Sequence, residues 1–233
     1  MKVGIMQPYF FPYIGYFQLM NAVDEFVVYD NIQFTKKGWI NRNRILVNGK
    51  PSYITLPLKK DSDYLDVRER YLSENWNKEK KRMLNRITES YRKAPYFKEA
   101  YSVIESCIVY DELNLFKFIL NSLEKIKEYL GIHTSIIKSS IIPIDHSLKA
   151  EKKVIRICKE RNVNKYFNPI GGINLYEKRV FKDKAIDLYF LEAKNIKYKQ
   201  LNNDFSAFLS IIDVMMFNSM KDIKNMLGLY KLK

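Results

Sequence analysis

The opening of the chain constrains its fold more than any other stretch. Val3 to Met6 is a short apolar strand that stops at Pro8, and a helix follows from about Tyr13 to Ala22 with Phe17, Leu19 and Met20 on its buried side. A second strand runs from Glu25 to Tyr29 and ends at Asp30-Asn31. Strand, helix and strand within about thirty residues make a βαβ unit with a right-handed crossover, because a right-twisted strand packs its helix back onto the sheet only that way. Apolar strands of this kind suit a parallel sheet covered on both faces.

Further along, Arg44–Val47 and Ser52–Leu56 flank Asn48-Gly49, the pair that makes the tightest hairpin turns. Three helices are expected next, over Trp76–Arg92, Pro95–Val109 and Asn114–Leu130, with apolar residues at three- and four-residue spacing and Pro95 in a first turn. Alternation then returns: a strand at Ser135–Ser139, a helix at Lys149–Arg161, a strand at Asn164–Phe167 and a helix from about Asn174 to Phe181. A strand at Asp187–Leu191 follows, and closing helices at Phe205–Met220 and Ile223–Leu229. The expected architecture is α/β: one domain over residues 1–233, a parallel Rossmann-like sheet, and an inserted helical lobe at about 70–131.

No apolar run approaches the ~18 residues of a transmembrane helix. The N-terminal segment reads as a strand and lacks the small-residue cleavage site of a signal peptide. Cys107 and Cys158 stand alone in apolar helical patterns, which argues against a disulfide or metal framework and for a reducing cytoplasm. With two histidines, no metal-ligand spacing and no nucleophile elbow, metal and covalent-hydrolase chemistry have no motif to rest on. The formal charge of +14 admits anionic partners, but it is spread along the chain, lysine-rich and without a basic tail. No nucleic-acid motif accompanies it.

In parallel α/β sheets ligands bind beyond the carboxyl ends of the strands. Four polar segments should therefore converge: Gln7-Pro8-Tyr9, Asp30-Asn31, Asp145-His146 and Asn168 through Gly172. In the first, Gln7, Tyr9, Tyr13 and Tyr16 offer amide and hydroxyl groups ahead of a helix, and Gly15 permits close backbone approach; the same aromatics would also serve to pack a sheet edge. In the second, Asn31, Gln33, Lys36, Lys37, Trp39, Asn41, Arg42 and Arg44 put four cations, several amides and a tryptophan close together, suited to a diphosphate and to sugar hydroxyls or simply to a solvated loop. Asn168, Gly171 and Gly172 form either a phosphate cradle or a plain turn. Tyr198, Gln200, Ser210 and Asp213 lie on or near a closing amphipathic segment. The proton-transfer candidates are His146, Asp213, Tyr13 and Asp30, His146 first because imidazole titrates near neutrality.

The stretch from Met6 to Tyr16, the segment Asp30–Arg44, and Asn168–Gly172, Leu175-Tyr176, Tyr198–Gln200 and Leu209–Asp213 together resemble the WbqC-like protein family over nearly the whole chain. That resemblance implies work on an activated sugar in clusters that make O-antigens and other bacterial surface glycans. A fainter likeness links Tyr13–Tyr16 to the HxGH motif of nucleotidylyltransferase folds. Tyrosine stands in place of both histidines, so the topology alone carries over.

The function expected on these grounds is transfer of an acyl or aminoacyl group, glycine for example, to the amine of a nucleotide-linked amino sugar. The partners are that sugar and an acyl or amino-acid donor, with oligomerisation left open. The cofactor also stays open between ATP and an acyl donor, since an ATP-dependent ligase on the same sugar is the nearest alternative. A nucleic-acid binder, with steep salt dependence, and a non-catalytic scaffold complete the set.

Overall fold

A computed structural model describes residues 1–201 and 204–233. Its central sheet has six strands: β1 (Lys2–Met6), β2 (Glu25–Val28), β5 (Ser135–Lys138), β6 (Lys165–Pro169), β7 (Asp187–Ala193) and β8 (Tyr230–Leu232). They lie in the order β5-β2-β1-β6-β7-β8, parallel except for β8, which runs antiparallel to β7 at the edge. Numbered within the sheet, the order is 3-2-1-4-5-6, that of the doubly wound fold, whose crevice opens where strand order reverses, between β1 and β6. A separate hairpin, β3 (Arg42–Val47) and β4 (Lys50–Thr55), turns at Asn48 and Gly49, both with positive φ as a two-residue turn of the primed type requires.

The period-two alternation of the strands sorts the core into two layers. Val3, Ile5 and Val27 face one side, against Val154, Ile157 and Cys158 of α5 (Ala150–Glu160) and Phe181 of α6 (Lys178–Lys182). Phe26 and Val28 face the other, with α1 (Ile14–Asn21), α7 (Ile211–Phe217) and α8 (Met220–Leu227). The same layer takes in α2 (Trp76–Tyr91), α3 (Phe97–Ile108) and α4 (Leu115–Tyr129), which lie between β4 and β5 along the chain.

Several expectations shift. Pro95 lies ahead of its helix, whose N-cap is Tyr96. The segment after Asn174 turns helical only at Lys178, and residues 205–209 are not helical, because Ser210 caps α7 by accepting from Ile212 N. The short edge strand β8 carries no alternating pattern of its own and is defined by pairing with β7.

The loop after β1 is held by its backbone. Phe10 N donates to the carbonyls of Trp39 and Ile40, and buried Asn43 donates Nδ2 to the carbonyls of Phe10 (3.1 Å) and Phe11 (2.8 Å). Ser210 Oγ donates to Phe11 O at 2.8 Å, and Ile211 N to Pro12 O. Phe11 itself sits at φ +42°. Asn43→Ala should lower the unfolding free energy by about 2–3 kcal/mol, since buried carbonyls lose their donor. Urea unfolding reads this as a lower midpoint at unchanged slope.

Candidate functional site

Two places at the carboxyl edge of the sheet gather the residues singled out in the sequence. The first lies beyond β2. Asp30 is 4% exposed; its carboxylate accepts from Ser140 N (2.9 Å) and Ser140 Oγ (2.5 Å), and its N–H donates to Ser139 Oγ at 3.3 Å. It therefore ties the end of β2 to the segment after β5 and is engaged there. Its neighbour Asn31 faces the other way, into a cavity of about 370 Å³. Gln33, Asp66, His146, Lys149 and Lys153 line it, with Tyr29 and Tyr176 bringing in the far ends of β2 and of the loop after β6.

The tautomer of His146 follows from its neighbours. Asn31 Oδ1 accepts from Ser139 Oγ at 2.5 Å and lies 3.5 Å from Lys153 Nζ, which orients the amide so that Nδ2 points at His146 Nδ1, 2.8 Å away. Nδ1 must then be the acceptor, leaving Nε2 to carry the proton. In this arrangement His146 offers a hydrogen-bond donor, and proton abstraction needs another group. Asp66, the cap of a short 3-10 turn whose backbone N–H donates to Glu69 at 2.8 Å, supplies a carboxylate on the same cavity, and the sequence reading does not include it. Burial and the neighbouring Glu69 hold its pKa above the usual aspartate value, which strengthens it as a proton acceptor.

The second place joins the first and second polar segments. Tyr9, Pro12, Tyr13, Trp39, Asn43, Arg44 and Phe208 line a pocket of about 210 Å³. Tyr13 and Phe208 also belong to an adjoining pocket of about 400 Å³ with Ile196, Tyr198 and Leu209. Burial raises the pKa of both Tyr9 and Tyr13, so their phenols are hydroxyl donors and Tyr13 is not a base at neutral pH. Tyr16 is wholly in the core, its hydroxyl bound to Gln7 O at 3.0 Å. A Cβ on Gly15 would stand 2.2 Å from the Tyr13 ring, so the close approach that glycine permits is made by the chain's own tyrosine.

The cations of the polar loop are spent separately. Lys36 pairs with Asp63 at 2.7 Å, and Lys37 is exposed at φ +64°. Arg42 donates to the carbonyls of Lys37 and Gly38 and lies 4.7 Å from the centre of the Tyr53 ring. Asn41 donates to Leu56 O at 2.9 Å, and Gln33 to Asp63 O at 3.0 Å. Arg44 alone reaches a pocket, its guanidinium 5.6 Å from the centre of the Trp39 ring and Nη2 bound to Phe208 O at 3.3 Å. The four do not form the expected common clamp.

At the end of β6, Asn168 is buried, accepts from Tyr166 OH at 2.9 Å, and crowds Gly172, where a Cβ would lie 2.0 Å from Asn168 Nδ2. Gly171 faces open space. The glycine pair thus makes a tight turn, and Tyr176 beyond it is what reaches the first cavity. Asp213 is buried completely: Tyr198 OH (2.7 Å) and Gln200 Nε2 (2.7 Å) bond Oδ1, and Tyr91 OH (2.9 Å) bonds Oδ2. It corrects the expectation of an accessible base, because no solvent or substrate reaches a carboxylate closed in by three donors; Gln200 and Ser210 are likewise core groups. Both cysteines are buried, and burial pushes each thiol up to about 12, which keeps them unreactive.

Fold and site together define a doubly wound α/β protein with a polar cavity at the carboxyl edge of its sheet. The chain belongs to the WbqC-like protein family, which it matches over residues 7–225. It is also 30% identical over 220 residues, 92% of each chain, to an uncharacterized protein of Mycobacterium tuberculosis. No solved structure matches it. Among the described residues no helix is long and apolar enough to cross a membrane.

Asp213→Ala removes the shared acceptor of three buried donors and should cost about 2–4 kcal/mol of stability in urea unfolding. Burial raises the Asp213 carboxyl above its ordinary value, outweighing its hydrogen bonds. A raised folded pKa gives stability that is complete below the unfolded value and is lost as pH rises through the folded one. The urea midpoint of the wild type should therefore fall relative to Asp213→Asn as pH rises from about 4 toward neutrality.

Proposed function

We propose that the protein transfers an acyl or aminoacyl group to the amine of a nucleotide-linked amino sugar used in bacterial surface-glycan synthesis. The observation that carries this reading is the meeting of Asn31, Asp66 and His146 in one cavity at the carboxyl edge of a doubly wound sheet, where such folds take nucleotides and their conjugates. The glycan setting rests on what the resemblance to the WbqC-like family implies, and the cavity offers groups that an amide-forming step can use. Asp66 takes a proton from the ammonium of the sugar, and the freed amine then attacks the acyl carbon. The donor's leaving group, a CoA thiolate or an adenylate phosphate, departs with the second amine proton as the tetrahedral adduct collapses. His146, kept in its Nε2–H form by Asn31, donates to the acyl oxygen as negative charge develops on it. The separate pocket of Tyr9, Tyr13, Trp39 and Arg44 offers aromatic faces and one cation for the second reactant, and holding both reactants in place lowers the entropic part of the barrier.

Mass spectrometry of the protein incubated with nucleotide-linked amino sugars, amino acids, acyl-CoA and ATP should reveal a sugar nucleotide heavier by one acyl or aminoacyl group. Dependence on ATP with release of pyrophosphate would make the enzyme a ligase. Asp66→Asn should slow product formation by about 100-fold or more and leave the product mass unchanged. A full panel without product would sink the reading.

A further inference from the structure

We propose that Lys153 binds a phosphoryl group of a small-molecule substrate in the cavity of Asn31 and His146, an assignment that rests on reading that cavity as a substrate site. Lysine normally keeps its ammonium in water by running its stem along the surface. Lys153 is instead 7% exposed, and it lines the cavity. Its polar contacts are the backbone and side-chain oxygens of Asn31, at 3.4 and 3.5 Å, the outer limit of a hydrogen bond, and its ammonium lies 5.4 Å from the centre of the Tyr29 ring. Among the described residues it has no carboxylate within 4.0 Å. The two acids nearest in charge, Asp66 and Asp30, stay beyond ion-pair distance of Lys153, and Asp30 is bound by Ser139 and Ser140.

A buried ammonium without a counter-ion is costly, and burial does hold the Lys153 pKa below the ordinary lysine value. Arg70 is also buried, with its Nε unpaired, but its Nη1 donates to Ser62 O at 2.7 Å, a short hydrogen bond of a kind Lys153 lacks. For Lys153 the missing partner is an anion in the cavity. The helix it belongs to favours that partner too: α5 begins at Ala150 on the cavity wall, and its N-cap Lys149 contributes no side-chain bond to the first-turn N–H groups. An ammonium and first-turn amides on one wall suit the several oxygens of a phosphoryl group, and leave the His146 Nε2–H for the acyl oxygen. Val154, Ile157 and Cys158 share the buried face of α5 with Lys153. A cation inside an apolar stripe is thus the sequence trace of this site.

The test is calorimetric titration of the full chain with uridine diphosphate and with inorganic phosphate, comparing wild type, Lys153→Met and the Lys37→Gln and Arg42→Gln variants. Lys153→Met should weaken uridine diphosphate binding by about 10- to 100-fold, while the two loop variants stay within about threefold of wild type. Methionine fills the same space without a buried charge, so Lys153→Met should melt at or above the wild-type temperature. Equal affinity in wild type and Lys153→Met, no binding by wild type, or a marked fall in melting temperature would each overturn the assignment. Lys153-dependent binding without any acylated product would keep this site and remove the transfer reading. An acylated product formed equally by wild type and Lys153→Met would do the reverse.

Discussion

The structure hangs on how the loop after β1 satisfies its own backbone. Phe10, Phe11 and Pro12 leave the first strand at the crevice of the sheet, where no neighbouring strand can accept or donate for them. Asn43 reaches across from the hairpin and Ser210 with Ile211 from the start of α7, so three elements distant in sequence meet on consecutive carbonyls. A buried peptide group without a partner is costly enough that this contact fixes the hairpin and α7 against the sheet. Tyr9 and Tyr13 take their places on either side as a consequence, and Tyr13 folds back over Gly15.

Asp213 performs the matching task one helical turn later. By accepting from Tyr91, Tyr198 and Gln200 it binds α2 and the segment before α7 to a single carboxylate, and Tyr91 in turn accepts from Leu46 N of β3. The helices between β4 and β5 are thereby joined to α7 and to the hairpin by a polar network as well as by apolar packing. Such networks specify one arrangement strongly because every member would be costly to leave unpaired. An acid on an amphipathic helix looks the same in sequence whether it ends at a substrate or in this kind of hub.

The cations illustrate the same ambiguity. Lys36, Lys37, Arg42 and Arg44 sit close together in the chain and look like a diphosphate clamp, yet the structure sends one to Asp63, one to its own loop and one to Trp39. Lys153, on a helix and outside that loop, is the buried cation left facing a cavity with no carboxylate in ion-pair distance among the described residues. Proximity along a loop is a weak guide to shared direction, because a loop has no fixed period to aim its side chains.

The sequence by itself determined the doubly wound sheet. Short apolar strands, the βαβ unit at the start and the Asn48-Gly49 turn are local signals that depend on period and backbone preference, and they survive in the structure within a residue or two. It also marked the polar strand ends from which Asn31 and His146 meet. Only the tertiary structure decided what each polar group does. Whether Asp30, Asp213 and Asp66 are structural or chemical depends on which donors approach from elements up to 122 residues away. Whether a cation such as Lys153 is satisfied depends on acids that topology turns toward it or away. Those are long-range facts of packing, and no local period encodes them.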